Sequence, residues 1–119
     1  MKLIIKDSFC DLNTYINAER GHWSQAAKIK KEETERVYWA CKEQKLKPYK
    51  GIPNEAIFSW YHKNTRMDFD NVEFAQKFIW DGLVMAKILK SDGQKHTPKT
   101  RSHWHFIDKK NQRVEIELI

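Results

Sequence analysis

A helical pattern over residues 71–90 constrains the fold more than any other feature of this chain. Apolar side chains recur there at the three- and four-residue spacing of a single helix face. Asp70 precedes the pattern as an expected N-cap, and Gly93 follows its end. Residues 56–63 are rich in Ile, Phe, Trp and Tyr, which predicts a strand before this helix. The apolar face of the helix consists of Val72, Ala75, Phe78, Ile79, Leu83 and Ala86.

The first half of the chain predicts a short strand followed by a long helical unit. Residues 3–6 form an apolar run with β-branched side chains, which is typical of a strand. Asp11 or Asn13 is suited to cap a helical unit that continues to about Leu46. Gly21 interrupts this unit, because glycine weakens a helix interior.

The last part of the chain predicts two more strands. Residues 102–108 and 113–118 show a hairpin pattern around the polar residues 109–112. The complete order is therefore β-α-β-α-β-β, with no internal repeat or linker. We predict a single small α+β domain over residues 1–119, in which a mixed sheet is packed by two main helices.

The charge balance favours a partner that carries phosphates. The chain has 119 residues and a formal net charge of +6, and such a surplus of cations attracts nucleic acid or anionic membranes. No apolar run approaches the roughly 18 residues of a membrane span, and the N-terminus becomes charged too soon for a signal peptide. Cys10 and Cys41 form no CxxC pair, so we expect reduced thiols in a cytoplasmic protein. Nucleic acid is the leading partner.

Two acids stand where the predicted strand gives way to the predicted helix. Asp68 and Asp70 are two residues apart, and side chains at this spacing share one face of an extended segment. Both carboxylates can then converge on one Mg²⁺, which binds few protein carboxylates and accepts phosphate oxygens. The alternative is structural: one acid caps the helix and the other is an exposed turn residue.

Further polar residues extend this acidic pair. Lys77 follows Asp70 by two helical turns and can reach back to stabilise charge on a phosphate, or it pairs with Asp81 at i+4. Asp92 follows the helix and is a candidate third ligand. Glu73 is either an additional acid of the site or a favourable charge in the first helical turn.

Cations and aromatic residues supply a candidate DNA surface. Phe69, between the two acids, is either a core residue or an aromatic wedge for DNA. His103 and His105 form an HxH pair, but no Cys, His or acid completes a zinc site by spacing. The candidate DNA-binding residues are Arg66, Lys28, Lys30, Lys31, Lys95, Lys99 and Arg101.

The order of these motifs resembles a known family. DxDN spans residues 68–71, KxxxDGL spans residues 77–83 and DG spans residues 92–93. This set resembles the RusA-type Holliday junction resolvases, most closely the versions carried by phages and prophages of Gram-positive bacteria. The likeness covers nearly the whole chain. Two departures are the lysine, which follows the second acid by seven residues rather than the family's four, and Ser91, where many relatives have Asp.

The resemblance implies an activity and a set of roles. It implies a RusA-like fold and a homodimeric endonuclease of the bacterial cytoplasm that resolves branched DNA, namely four-way junctions, by paired symmetric nicks. It also implies Mg²⁺ as cofactor, with Mn²⁺ as a substitute, and neither an organic cofactor nor a membrane partner. The catalytic residues it implies are Asp68, Asp70, Lys77 and Asp92, and the metal ligands are Asp68, Asp70 and Asp92.

A second function uses the same scaffold without catalysis. In this alternative the chain is an inactive module that binds branched DNA through its basic loop and long helix. The acids would then be helix caps and ion-pair partners. Cutting of a four-way junction that depends on Mg²⁺ distinguishes the two.

Overall fold

The computed structural model describes all residues 1–119, which form four strands and four helices. The predicted α+β class and the β-α-β-α-β-β order of the main elements are confirmed. The elements are β1 (Lys2–Lys6), α1 (Leu12–Gly21), α2 (Trp23–Glu43), β2 (Glu55–His62), α3 (Phe69–Glu73), α4 (Gln76–Met85), β3 (Thr100–Ile107) and β4 (Arg113–Leu118).

The four strands form one mixed sheet in the order β1-β4-β2-β3. Strand β4 lies between β1 and β2 and is antiparallel to both, whereas β3 is parallel to β2. The predicted hairpin of the last two strands is therefore wrong, because β2 separates them. A four-residue turn signal fits a hairpin locally, but the alternating apolar residues of β4 are buried beneath the helices as in an interior strand.

All four helices lie on one face of the sheet, the face on which alternate apolar side chains of the strands are buried. Ala56, Phe58 and Trp60 of β2 are buried on that face. The opposite face carries exposed aromatic side chains from β3: Trp104 is 58% exposed and Phe106 is 44% exposed. Strand β3 is thus an edge strand with one face open to solvent.

Helices α2 and α4 meet at a glycine. Gly82 of α4 packs against α2 so closely that a Cβ there would lie 2.3 Å from Val37 Cβ and 3.0 Å from the Thr34 carbonyl oxygen. The glycine of the DGL motif is therefore required by the helix crossing. No side chain larger than hydrogen fits at this position without movement of α2.

The predicted helix over residues 71–90 is present but divided. Helix α3 ends at Glu73 and α4 begins at Gln76, and the junction uses i to i−3 bonds such as Ala75 N–H to the Val72 carbonyl. Such bonds are those of a tighter 3₁₀ turn. Asp70 is also not the N-cap: that position is taken by Asp68, whose side chain makes no capping bond.

The N-terminal elements agree with the sequence pattern. Asp11 caps α1 by accepting a hydrogen bond from Thr14 N–H at 2.7 Å. Gly21 ends α1, and α2 begins two residues later. None of the helices combines the length and the apolar character needed to cross a membrane.

Candidate functional site

The acidic motif lies on a short helix that is pinned to the sheet. The Phe69 ring stacks on the His105 ring of β3, with centroids 3.9 Å apart and planes 11° apart. Glu73 Oε2 lies 2.5 Å from His105 Nε2. Phe69 and Glu73 are four residues apart, so α3 turns one side toward the end of β3.

A second contact fixes α3 against the N-terminal helix. The side-chain oxygen of Asn71 accepts a hydrogen bond from Asn13 N–H at 2.9 Å. Tyr15 of α1 also packs against Phe74, with ring centroids 5.3 Å apart. The Asn of the DxDN motif thus holds the helix in position.

Asp68 and Asp70 remain free at this pinned segment. Both are exposed, and neither carboxylate accepts a hydrogen bond or forms an ion pair. They do not lie on a strand, as the sequence suggested, because β2 ends at His62. Asp68 has extended backbone angles and Asp70 is in the first turn of α3, so the two-residue spacing does not by itself place them on one face.

Asp92 lies at the other end of β2. Four residues of its loop line one surface cavity together with Pro53 and Asn54, which precede β2: Gln94, Lys95, Thr97 and Lys99. Thr97 Oγ1 also donates a hydrogen bond to the Gly93 carbonyl at 3.0 Å. Helix α3, by contrast, contacts His105, which is in register with Trp60 near the end of β2.

The three predicted metal ligands therefore do not meet within one chain. The eight residues of β2 separate the two ends of the sheet by roughly 23 Å, at about 3.3 Å for each of seven steps. No group of three or more His, Cys, Asp or Glu side chains is arranged to hold a metal ion. Asp68 and Asp70 share one end of the domain, whereas Asp92 is exposed near the other.

Lys77 is exposed on α4 and makes no ion pair. The alternative pairing with Asp81 is absent, since their charged groups are not within 4.0 Å. The 3₁₀ turn between α3 and α4 changes the angle around the helix from Asp70 to Lys77. The regular two-turn spacing assumed from the sequence therefore does not apply across this junction.

The predicted DNA-binding cations differ in whether their charged groups already have a partner within the protein. Arg101 stacks over the Trp80 ring at 4.5 Å and donates hydrogen bonds to Pro98 and Thr97, so it folds its loop onto α4. Lys28 Nζ lies 3.8 Å from Glu32 Oε1, and both side chains are exposed on α2. Within this predicted set, the exposed cations without an ion pair are Lys30, Lys31, Arg66, Lys95 and Lys99.

A histidine pair that the sequence did not indicate lies beside the acidic motif. His62 Nε2 is 2.7 Å from His105 Nδ1, and His105 continues to Glu73. His103, the other half of the HxH pair, instead accepts a hydrogen bond from Trp60 Nε1 at 3.0 Å. His62 and His105 are 43 residues apart, so only the register of β2 and β3 could have revealed their contact.

A cavity of about 220 Å³ opens at the same end of the sheet. Met67, directly before the acidic motif, lines it together with His62 and Arg113. Asp7 and Asp11, from the connection between β1 and α1, supply two further acids. This end of the domain therefore combines a cavity, unpaired acids, a histidine network and a cation.

Comparisons with known proteins do not identify the chain. No protein-family model matches it, and no curated protein matches it either.

Proposed function

We propose that this protein is a Mg²⁺-dependent endonuclease that cuts four-way DNA junctions. The ordered motifs DxDN, KxxxDGL and DG, the net charge of +6 and the exposed cations support this proposal. The observation that carries it is the state of Asp68 and Asp70. Two unpaired carboxylates occupy a segment that Phe69 attaches to the sheet and Asn71 attaches to α1.

Carboxylates without partners, on a segment that is attached to the rest of the domain, are suited to bind a hard cation such as Mg²⁺. Neither carboxylate is engaged by a lysine or an arginine, so the oxygens of both are available to a cation. Carboxylate oxygens suit Mg²⁺, which takes one or two protein carboxylates and completes its shell with water and phosphate oxygens. Asp68 and Asp70 would hold this ion, which would supply positive charge for the phosphate and its attacking water.

The remaining roles follow from position. Lys30, Lys31 and Arg66 would contact phosphates and fix the orientation of the DNA. Lys77 would approach the reacting phosphate from the start of α4. Asp92, near the opposite end of the sheet, would serve the same site only if a second copy of the chain or a movement of its loop carries it there.

A synthetic four-way junction tests the activity directly. We expect symmetric nicks with Mg²⁺ and none with EDTA, and we expect Asp70→Asn to abolish nicking while junction binding is kept or strengthened. Glu19→Gln is the matched control, because Glu19 is an exposed helical acid without a partner on α1. Loss of binding together with nicking in Asp70→Asn would assign the acid a structural role instead.

The edge strand β3 is the candidate contact of a homodimer. It has eight residues, no backbone bond on its outer side, and neither lysine nor proline to prevent pairing. Antiparallel pairing of two β3 strands across a two-fold axis would set the Asp92 end of one copy beside the Asp70 end of the other.

Mixing two inactive variants tests this arrangement. In a shared site, heterodimers of Asp70→Asn and Asp92→Asn contain one site with both acids intact, so nicking of one strand should return. If each chain carries a complete site, every site in the mixture lacks one acid. Nicking would then stay absent, which would refute the shared site.

The inactive DNA-binding module remains the second candidate. The absence of a three-ligand metal group within one chain favours it. Tight binding of the junction with no cutting in either Mg²⁺ or Mn²⁺ would select this alternative.

A further inference from the structure

Three side chains form a continuous chain of hydrogen bonds from β2 to α3. The ring centroids of His62 and His105 are 5.0 Å apart with planes 6° apart, while Nε2 of one and Nδ1 of the other are 2.7 Å apart. The rings therefore lie edge to edge in nearly one plane, which is the geometry of a direct hydrogen bond. Glu73 Oε2 follows at 2.5 Å from the far nitrogen of His105.

The order of partners assigns the protons. The Glu73 carboxylate only accepts, so a neutral His105 carries its proton on Nε2 and offers the lone pair of Nδ1. His62 must then donate from Nε2, which leaves Nδ1 of His62 as the basic atom at the end of the chain. A neutral histidine whose second nitrogen is oriented by a carboxylate through a hydrogen bond is a typical proton acceptor.

The free nitrogen of His62 is accessible. Nδ1 of His62 has no hydrogen-bond partner. The only buried side-chain nitrogen or oxygen without a partner is Thr34 Oγ1, so Nδ1 of His62 is not buried and solvent reaches it. His62 lines the cavity of about 220 Å³, on which Asp7, Asp11 and Arg113 also border. Phe69 covers the adjacent face of His105, so the inner part of the chain is shielded while its end is open.

We propose that His62 is the general base of this site, and that His105 and Glu73 position it and share the proton it accepts. This inference rests on the proposed endonuclease function and adds a residue that the sequence motifs do not contain. The reaction is phosphodiester hydrolysis, and the substrate is the strand whose phosphate is held beside Asp68 and Asp70.

The proton and the electron pairs can be followed through the step. Nδ1 of His62 takes a proton from water as the water oxygen forms its bond to phosphorus. The bond from phosphorus to the leaving oxygen breaks, its electron pair stays on that oxygen, and solvent protonates it. His62 then passes its Nε2 proton to Nδ1 of His105, which places the positive charge beside the Glu73 carboxylate.

The surroundings suit a base that is neutral at physiological pH. Burial lowers the pKa of His62 below its ordinary value of 6.5, and a positive charge on His105 would lower it further. The titratable and charged groups around His62 are Glu73 and His105 on the helical side and Asp7, Asp11 and Arg113 at the cavity. A base of this kind loses activity only as the pH falls through its lowered pKa.

Nicking rates and heteronuclear NMR of the histidine rings test the proposal together. We expect His62→Gln to slow nicking by roughly 10²-fold or more while junction binding is unchanged. We expect Glu73→Gln to shift the acidic limb of the pH–rate profile to lower pH, because it removes the negative charge that stabilises the imidazolium. NMR should show Nε2-protonated rings for both His62 and His105 in the wild-type protein.

His103→Gln is the matched control, since His103 lies on the same face of β3 but bonds to Trp60. We expect its acidic limb to remain where the wild-type limb lies. A wild-type protein that cuts no junction would refute the endonuclease itself. A wild-type protein that cuts, with His62→Gln unchanged in rate and pH profile, would refute only the general base.

Discussion

Gly82→Ala should destabilise the protein although alanine favours helices more than glycine does. In a helix interior the change stabilises by about 1 kcal/mol, but here the added Cβ would lie 2.3 Å from Val37 Cβ and 2.5 Å from Val37 Cγ1. Overpacking of this kind costs roughly 1–3 kcal/mol and occasionally more. Because Cβ contacts shorter than 3.0 Å essentially never occur, the upper end of that range applies and α2 must move away from α4.

The net loss is then roughly 2 kcal/mol in the free energy of unfolding. At 4–8 °C per kcal/mol for a domain slightly smaller than this one, Tm should fall by roughly 8–15 °C. Urea unfolding and thermal unfolding followed by circular dichroism measure both quantities. Gly21→Ala is the matched control, because Gly21 is an exposed helical glycine whose new Cβ would meet only Gln25 Oε1 at 3.4 Å.

A double-mutant cycle with Val37 identifies the contact responsible. Val37→Ala leaves the Cβ that lies 2.3 Å away, whereas Val37→Gly removes it. We therefore expect Gly82→Ala to cost less in a Val37→Gly background than in a Val37→Ala background. Gly82→Ala with the stability of Gly21→Ala would refute the reasoning, because it would mean that α2 and α4 are not packed at this distance.

Two further predictions concern titratable groups. Burial is the largest cause that holds the pKa of His62 and of His103 below 6.5, so the unfolded chain binds more protons between that value and the lowered pKa. The free energy of unfolding in urea should therefore decrease as the pH falls from about 7 to about 5, and an equal decrease in His62→Gln/His103→Gln would contradict this cause. Burial also raises the pKa of the Cys41 thiol to about 11, which leaves on the order of one thiolate in 10³ at pH 8. A disulfide reagent at that pH should modify Cys41 only on unfolding, and rapid reaction in the folded protein would show that α2 opens locally.

The sequence predicts the helices and strands of this fold better than it predicts which strands pair with each other. Alternation and apolar spacing are local, so β1, β2 and the two N-terminal helices agree with the structure. Strand pairing is not local: β4 reads as the second strand of a hairpin, yet its apolar side chains fit between β1 and β2. The division of the long helix also escapes prediction, because it arises where Phe69 and Glu73 are drawn to His105 on a distant strand.

The candidate site shows the same limit. The motif DxDN is visible in the sequence, and the structure gives Asn71 and Phe69 structural contacts that spacing alone does not reveal. His62 has no motif at all, since its partner His105 is 43 residues away on another strand. The separation of Asp92 from Asp70 likewise depends on the direction of α4 and on the parallel pairing of β2 with β3.

The pinning of α3 has a consequence for how a mutational scan of this protein would have to be interpreted. Two kinds of residue alternate from Asp68 to Glu73. Asp68 and Asp70 face solvent. Phe69, Asn71 and Glu73 attach the helix to neighbouring elements. A screen for activity alone would score both sets as intolerant and would report one uninterrupted essential motif. A parallel screen for abundance would separate them, since only the attaching residues should lower the amount of folded protein.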